Sequence, residues 1–212
     1  EQLQDRLDAI DADAELDEAL KAKLKDQYEQ ARRFIEQAAA SAQRIAEFKQ
    51  MTASAPDRLA DVKAKLDAPP FEPGRDETDA DLDALRKSLQ TAEALSEQAT
   101  AALSAVEAEE QERLTRRTEL PRQTTAAREK LATLQAQAAV AEPDEPVELT
   151  EARRTRRVAE RLAASRQVEA LGAELASYDA RQELLTARIA LARRQVADAQ
   201  AGVDHWSRRV TE

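Results

Sequence analysis

From Val168 to Val210 the apolar side chains recur in alternating steps of three and four residues. They are Leu171, Leu175, Tyr178, Leu185, Ile189, Ala192, Val196, Ala199, Val203 and Trp206, and Gln182 is the one polar intruder. A 3.5-residue period held over six heptads keeps one helical face continuously against a partner, which is the pattern of a coiled-coil seam. A strand cannot carry it, because strand side chains alternate every two residues. An isolated amphipathic helix would not need such regularity for so long.

The breaks in the chain are few and clustered. Pro69-Pro70-Phe71-Glu72-Pro73-Gly74 cannot be helical, since its prolines lack amide donors and restrict the residues before them. Glu142-Pro143-Asp144-Glu145-Pro146 is the second break, and Pro56 and Pro121 are isolated. The pattern therefore predicts N-terminal helices over 1–67, a Pro-rich loop over 68–78, a long helix over 79–140 with a kink near Pro121, an acidic Pro loop over 141–148, and a long heptad helix over 149–212. The two long arms are each about 90 Å of helix at 1.5 Å per residue. Their short connection favours antiparallel neighbours. Folding the chain about residue 145 pairs residue i with about 290 − i, which sets Asp79, Asp81 and Asp83 near Arg208 and Arg209.

The second region opens with Thr78-Asp79-Ala80-Asp81, a capping-box variant. Its seam runs through Leu82, Leu85, Leu89, Ala92, Ala99, Leu103, Val106, Leu114, Leu131 and Leu134. In the first region Leu16, Leu20, Leu24, Ala31, Phe34, Ile35, Ala38, Ala42, Ile45 and Phe48 share one helical face. Asp11-Ala12-Asp13 is expected to end a short first helix and cap the next. The fold class expected is all-α, one elongated antiparallel coiled-coil helical bundle with the N-terminal helices packed on the hairpin. Aromatics make up 3% of the chain and charged residues 35%, so its interior must be thin and built mainly from Leu and Ala.

A net charge of −10 repels nucleic acid and anionic head groups on average. The absence of cysteine excludes disulfides, thiol nucleophiles and thiolate metal sites. The first residues, Glu1-Gln2-Leu3-Gln4-Asp5, lack the basic start and apolar stretch of a signal peptide. His205, the single histidine, has no second His, no Cys and no Ser placed by sequence to form a hydrolytic pair, and is assigned no role. Asp76 to Asp83 cannot form an EF-hand loop, because the sixth position after Asp76 is Asp81 rather than Gly. The acids at Glu107, Glu109, Glu110 and Glu112 read as a solvated face. Arg153-Arg154-Thr155-Arg156-Arg157, with Arg161 and Arg166, is the most basic feature. Pairing with the acidic helices explains it, and bidentate phosphate or anionic-lipid contact is the competing reading. No catalytic, cofactor-binding or metal-binding residues are expected.

The order of these features resembles one family. Tyr28 and Phe34 lie on a Leu-rich helix that leads past Phe48 to Pro56 and a short helix ending near Leu66. A long Leu/Ala/Glu helix then carries Arg117-Thr118-Glu119-Leu120-Pro121. The last helix holds Glu174-Leu175, Tyr178, Arg181, Leu184-Leu185, Arg188, Leu191, Arg193, Val203 and Trp206. The whole chain is similar to the periplasmic helical domain, or porin domain, of large mechanosensitive channels of small conductance. The resemblance implies a non-catalytic periplasmic domain of an inner-membrane ion channel that modulates gating or couples the channel to the envelope. It also implies an export signal before Glu1, membrane spans after Glu212, and a homo-oligomer, heptameric in that family, assembled through the membrane portion. Envelope components are the implied partners, without nucleic acid or a small-molecule substrate. The competing class is a soluble coiled-coil scaffold or tether, and a lipid-bending helical bundle comes third.

Overall fold

The computed structural model describes residues 2–69, 81–137 and 145–212. Among these residues the chain is all-α, with helices α1 (Gln2–Ala12), α2 (Glu18–Ala53), α3 (Ala55–Asp67), α4 (Leu82–Ala136), α5 (Val147–Ala180) and α6 (Gln182–Thr211). The Pro-rich loop, the 78–81 capping box and the acidic Pro loop fall largely outside the described residues. Contacts divide the chain into two compact units where one elongated domain is expected. Unit 1 holds Glu1–Gln50 and Thr118–Ala176, and unit 2 holds Met51–Arg117 and Ser177–Glu212.

Unit 1 is built from α1, α2, the end of α4 and most of α5. Its best-buried cluster joins Leu7 and Ile10 of α1, Leu24 and Tyr28 of α2, and Leu149 and Ala152 of α5, with Leu3, Leu16 and Leu20 packed against it. Burying a leucine-sized side chain contributes about 1.5–3 kcal/mol, so a few such residues suffice to dock the short α1. Arg6 donates to the Tyr28 hydroxyl at 3.0 Å and lies over its ring. The cap of α2 is Asp17, not Asp11 or Asp13. Its carboxylate accepts the backbone N–H of Ala19 at 3.1 Å, as an N-cap must to satisfy the open amides of the first turn. Asp13 instead closes a local turn through the N–H of Glu15, and Asp11 pairs with Lys25.

Unit 2 comprises α3, the first part of α4, and α6. Helix α3 follows α2 after the single residue Ser54. The cause is Pro56 in its first turn, a position that tolerates proline because those amides have no helical partner. Helix α3 packs on α6. Arg194 of α6 donates to the carbonyls of Leu66 and Ala68, binding the C-terminal end of α3. Those carbonyls have no intrahelical donor and carry the negative end of the helix dipole, so a guanidinium suits them.

Two further breaks follow from the backbone. Helix α4 is continuous through Pro121, although that proline withdraws the amide that would bond the Arg117 carbonyl. The expected single helix over 149–212 is interrupted at Arg181, with φ −101° and ψ 8°. The interruption is one residue wide, since Arg181 N–H still bonds Ser177 O and Leu185 N–H still bonds Arg181 O. No proline or glycine stands at this break.

Candidate functional site

Along α4 the buried positions are Leu85, Ala92, Arg113, Leu120 and Ala127, all on one seven-residue repeat. Leu114, expected in that seam, is 53% exposed, and the seam position between Val106 and Leu120 belongs to Arg113 instead. On the other side of the hairpin, Gln182 is exposed and Leu175 and Tyr178 are only half-buried. The fully covered residues beside them are Glu174, Ser177 and Arg181, spaced by three and four like the leucines but one residue earlier. Four polar residues thus take core positions that leucine-like side chains were expected to hold.

Three of them, Arg113, Ser177 and Arg181, lie in unit 2 within one polar cluster. Arg113 and Arg181 both lie against the Tyr178 ring, at 5.6 and 5.7 Å from its centroid. Glu109 accepts from Arg113 at 2.5 Å with one carboxylate oxygen and from Arg188 at 2.7 Å with the other. Arg117 pairs with Asp179 at 2.8 Å, and Arg193 with Glu107 at 3.0 Å. The Arg181 side chain turns back to Ser177 O at 3.2 Å. Ionic groups at a/d positions are the best-attested way for helices to fix register, since any slip leaves a charge buried without its partner.

The register so fixed differs from the expected one. Folding about residue 145 would put Glu109 opposite residue 181 and Glu107 opposite 183. They meet Arg188 and Arg193, about two and three turns further along the chain respectively. The proposed pairing of the acidic α4 start with Arg208 and Arg209 is also replaced in part. Asp83 pairs with Arg86 of its own helix, and Arg208 donates to the Asp204 carbonyl.

Charge sets the protonation of this cluster. Burial alone would push the Glu109 carboxyl up, but the hydrogen bond and charge of Arg188, reinforced by Arg113, outweigh it and hold the group below its ordinary value. Burial, then the nearby Arg113 charge, lowers Arg181. Ser177 is wholly buried and its hydroxyl has no partner among the described residues. In unit 1, the buried Glu174 carboxylate accepts from Arg44 at 3.0 Å.

The other candidates fall out as follows. His205 stacks edge-on against Trp206 at 4.8 Å. No group of three metal-ligating side chains occurs among the described residues. Among the described residues no helix is long and apolar enough to cross a membrane. Between α4 and α6 lies a groove of about 770 Å³, where Ala92, Ala99, Ala102 and Gly202 are too small to fill the seam beside Leu95 and Trp206. The arginines of α5 divide. Arg153 pairs with Glu145, Arg156 with Glu160 and Arg166 with Glu169. Arg154, Arg157 and Arg161 instead line a recess of about 470 Å³ with Leu134, Gln135, Gln137 and Thr150.

Residues 6–205 match the family described as the mechanosensitive ion channel porin domain. The chain belongs to that family. No curated protein and no solved structure matches it. This mechanosensitive channel porin domain is thus a channel-associated helical bundle, of a family that is not an enzyme family and that belongs to oligomeric channels. Polar residues at the porin domain's core positions were what the leucine pattern concealed. Their own three- and four-residue spacing, 174–177–181, was the available signal.

Proposed function

We propose that this domain is the non-catalytic periplasmic portion of a mechanosensitive ion channel, where it modulates gating or couples the channel to the cell envelope. The family match over residues 6–205 carries the reading. The polar cluster supports it, because the ion pairs Glu109–Arg188, Glu107–Arg193 and Arg117–Asp179 join neighbouring helices and resist their sliding. In this reading the domain is part of a homo-oligomer, a heptamer joined through the membrane portion, and envelope components are its partners.

The lack of cysteine makes the location directly testable. Lys49 is exposed on α2, so Lys49→Cys in the full-length protein adds an accessible thiol to this domain, read against the unsubstituted parent. A membrane-impermeant maleimide should label it in cells whose outer membrane alone has been permeabilised. Labelling that appears only after the inner membrane is broken would reject the periplasmic placement.

A further inference from the structure

The recess on unit 1 is an exception to the chemistry of the rest of the chain. In a protein of net charge −10, three guanidinium groups share one cavity, and among the described residues no carboxylate lines it. Arg154, Arg157 and Arg161 follow one another by three and four residues, so they project from one side of α5. Their neighbours show what α5 does with an arginine when a carboxylate is available. Arg153, Arg156 and Arg166 each hold one, at 2.8, 3.5 and 2.7 Å. Arg157 has a contact of its own. Arg154 and Arg161 make no ion pair or hydrogen bond among the described residues, although acids are abundant on every helix.

Arg154 and Arg161 repel one another across the recess, and that cost persists unless an anion joins them. We propose that this recess is a binding site for a phosphate-bearing ligand, either a soluble phosphate ester or the head group of an anionic phospholipid. Guanidinium groups present parallel N–H donors that match two phosphate oxygens at once, which is why a cluster of arginines favours phosphate over a simple halide. Leu134 gives the recess an apolar lining residue and Gln135 and Gln137 add neutral polar groups, while the Thr150 hydroxyl donates to Glu145 at 3.1 Å. A volume of about 470 Å³ admits a phosphate together with several further atoms of its carrier. The proposal stands apart from the channel reading and survives or fails without it.

The test uses the 212-residue chain with two probes, inorganic pyrophosphate by calorimetry and phosphatidylglycerol vesicles by co-sedimentation. The proposal predicts saturable binding to at least one, weakened by added salt. It predicts a loss of about tenfold or more in the Arg154→Gln/Arg161→Gln variant. Arg154→Lys/Arg161→Lys, which keeps the charge and loses the fork, should fall between. Arg166→Gln, outside the recess, should bind as the parent does. Binding of pyrophosphate assigns a soluble ester, and binding of vesicles alone assigns a lipid head group. Binding to neither probe overturns the proposal, as does binding that the double Gln variant leaves intact. If Glu142→Gln/Asp144→Asn alone creates pyrophosphate binding, the recess serves the chain's own acids and the proposal is also overturned.

Discussion

At the scale of single residues, the informative positions are polar residues in leucine places. Arg113, Glu174, Ser177 and Arg181 read as surface letters, because hydropathy ranks them as exposed and the neighbouring Leu114, Leu175 and Gln182 complete an acceptable heptad. What decides between the two phases is whether a charged partner waits across the seam, and that depends on tertiary register. Glu109 provides the sharpest residue-level expectation. Its carboxyl is held below the ordinary value, so the folded state binds a proton less readily than the unfolded chain. The stability it contributes is complete above the unfolded pKa of about 4.3 and is lost as pH falls through the lower folded value. Glu109→Gln should therefore lower stability at pH 7 by about 1 kcal/mol. The gap to wild type should close as urea titrations are moved towards pH 3, and a gap independent of pH would contradict this role. Ser177 makes the opposite prediction. Its buried hydroxyl has no partner among the described residues, so Ser177→Ala should leave stability unchanged or raise it by up to about 1 kcal/mol, read as the thermal midpoint.

At the scale of elements, the existence and type of the helices were plain from periodicity, and their interruptions were not. Proline in the first turn of α3 is a signal any reading can use, and Ser54–Pro56 divides α2 from α3 as that rule suggests. Pro121 shows the rule overridden. Helix α4 continues through it, with Leu120 fully buried next to it, because packing on both sides outweighs one missing hydrogen bond. Pro121→Ala should then stabilise the fold by about 1–3 kcal/mol, as an interior helical site relieved of proline does, and a lower denaturation midpoint would show that the proline is required. Arg181 shows the converse, a break without any breaker residue. Leu185, almost fully buried in α6, tests the seam itself. Leu185→Pro should cost about 3 kcal/mol or more, visible as lost far-ultraviolet ellipticity at 222 nm, and an unchanged spectrum would contradict the assigned seam.

At the scale of the whole molecule, the all-α class and the family were legible in the sequence because coiled-coil periodicity and the order of prolines and helices are local properties. Register and division into units were not. The fold-back about residue 145 is a length argument, and the pairs Glu109–Arg188 and Glu107–Arg193 show ionic matching prevailing over equal arms. The central claim is that this domain modulates the opening of a mechanosensitive channel. It is tested most directly by patch-clamp recording of the full-length protein and of a version lacking residues 2–212, in cells without other mechanosensitive conductances. The account predicts that both versions conduct, with the membrane tension for opening shifted by the deletion. It further predicts that Glu109→Gln/Arg188→Gln, which unpins the helix register, shifts it in the same direction. Identical opening tensions in all three proteins would contradict the account.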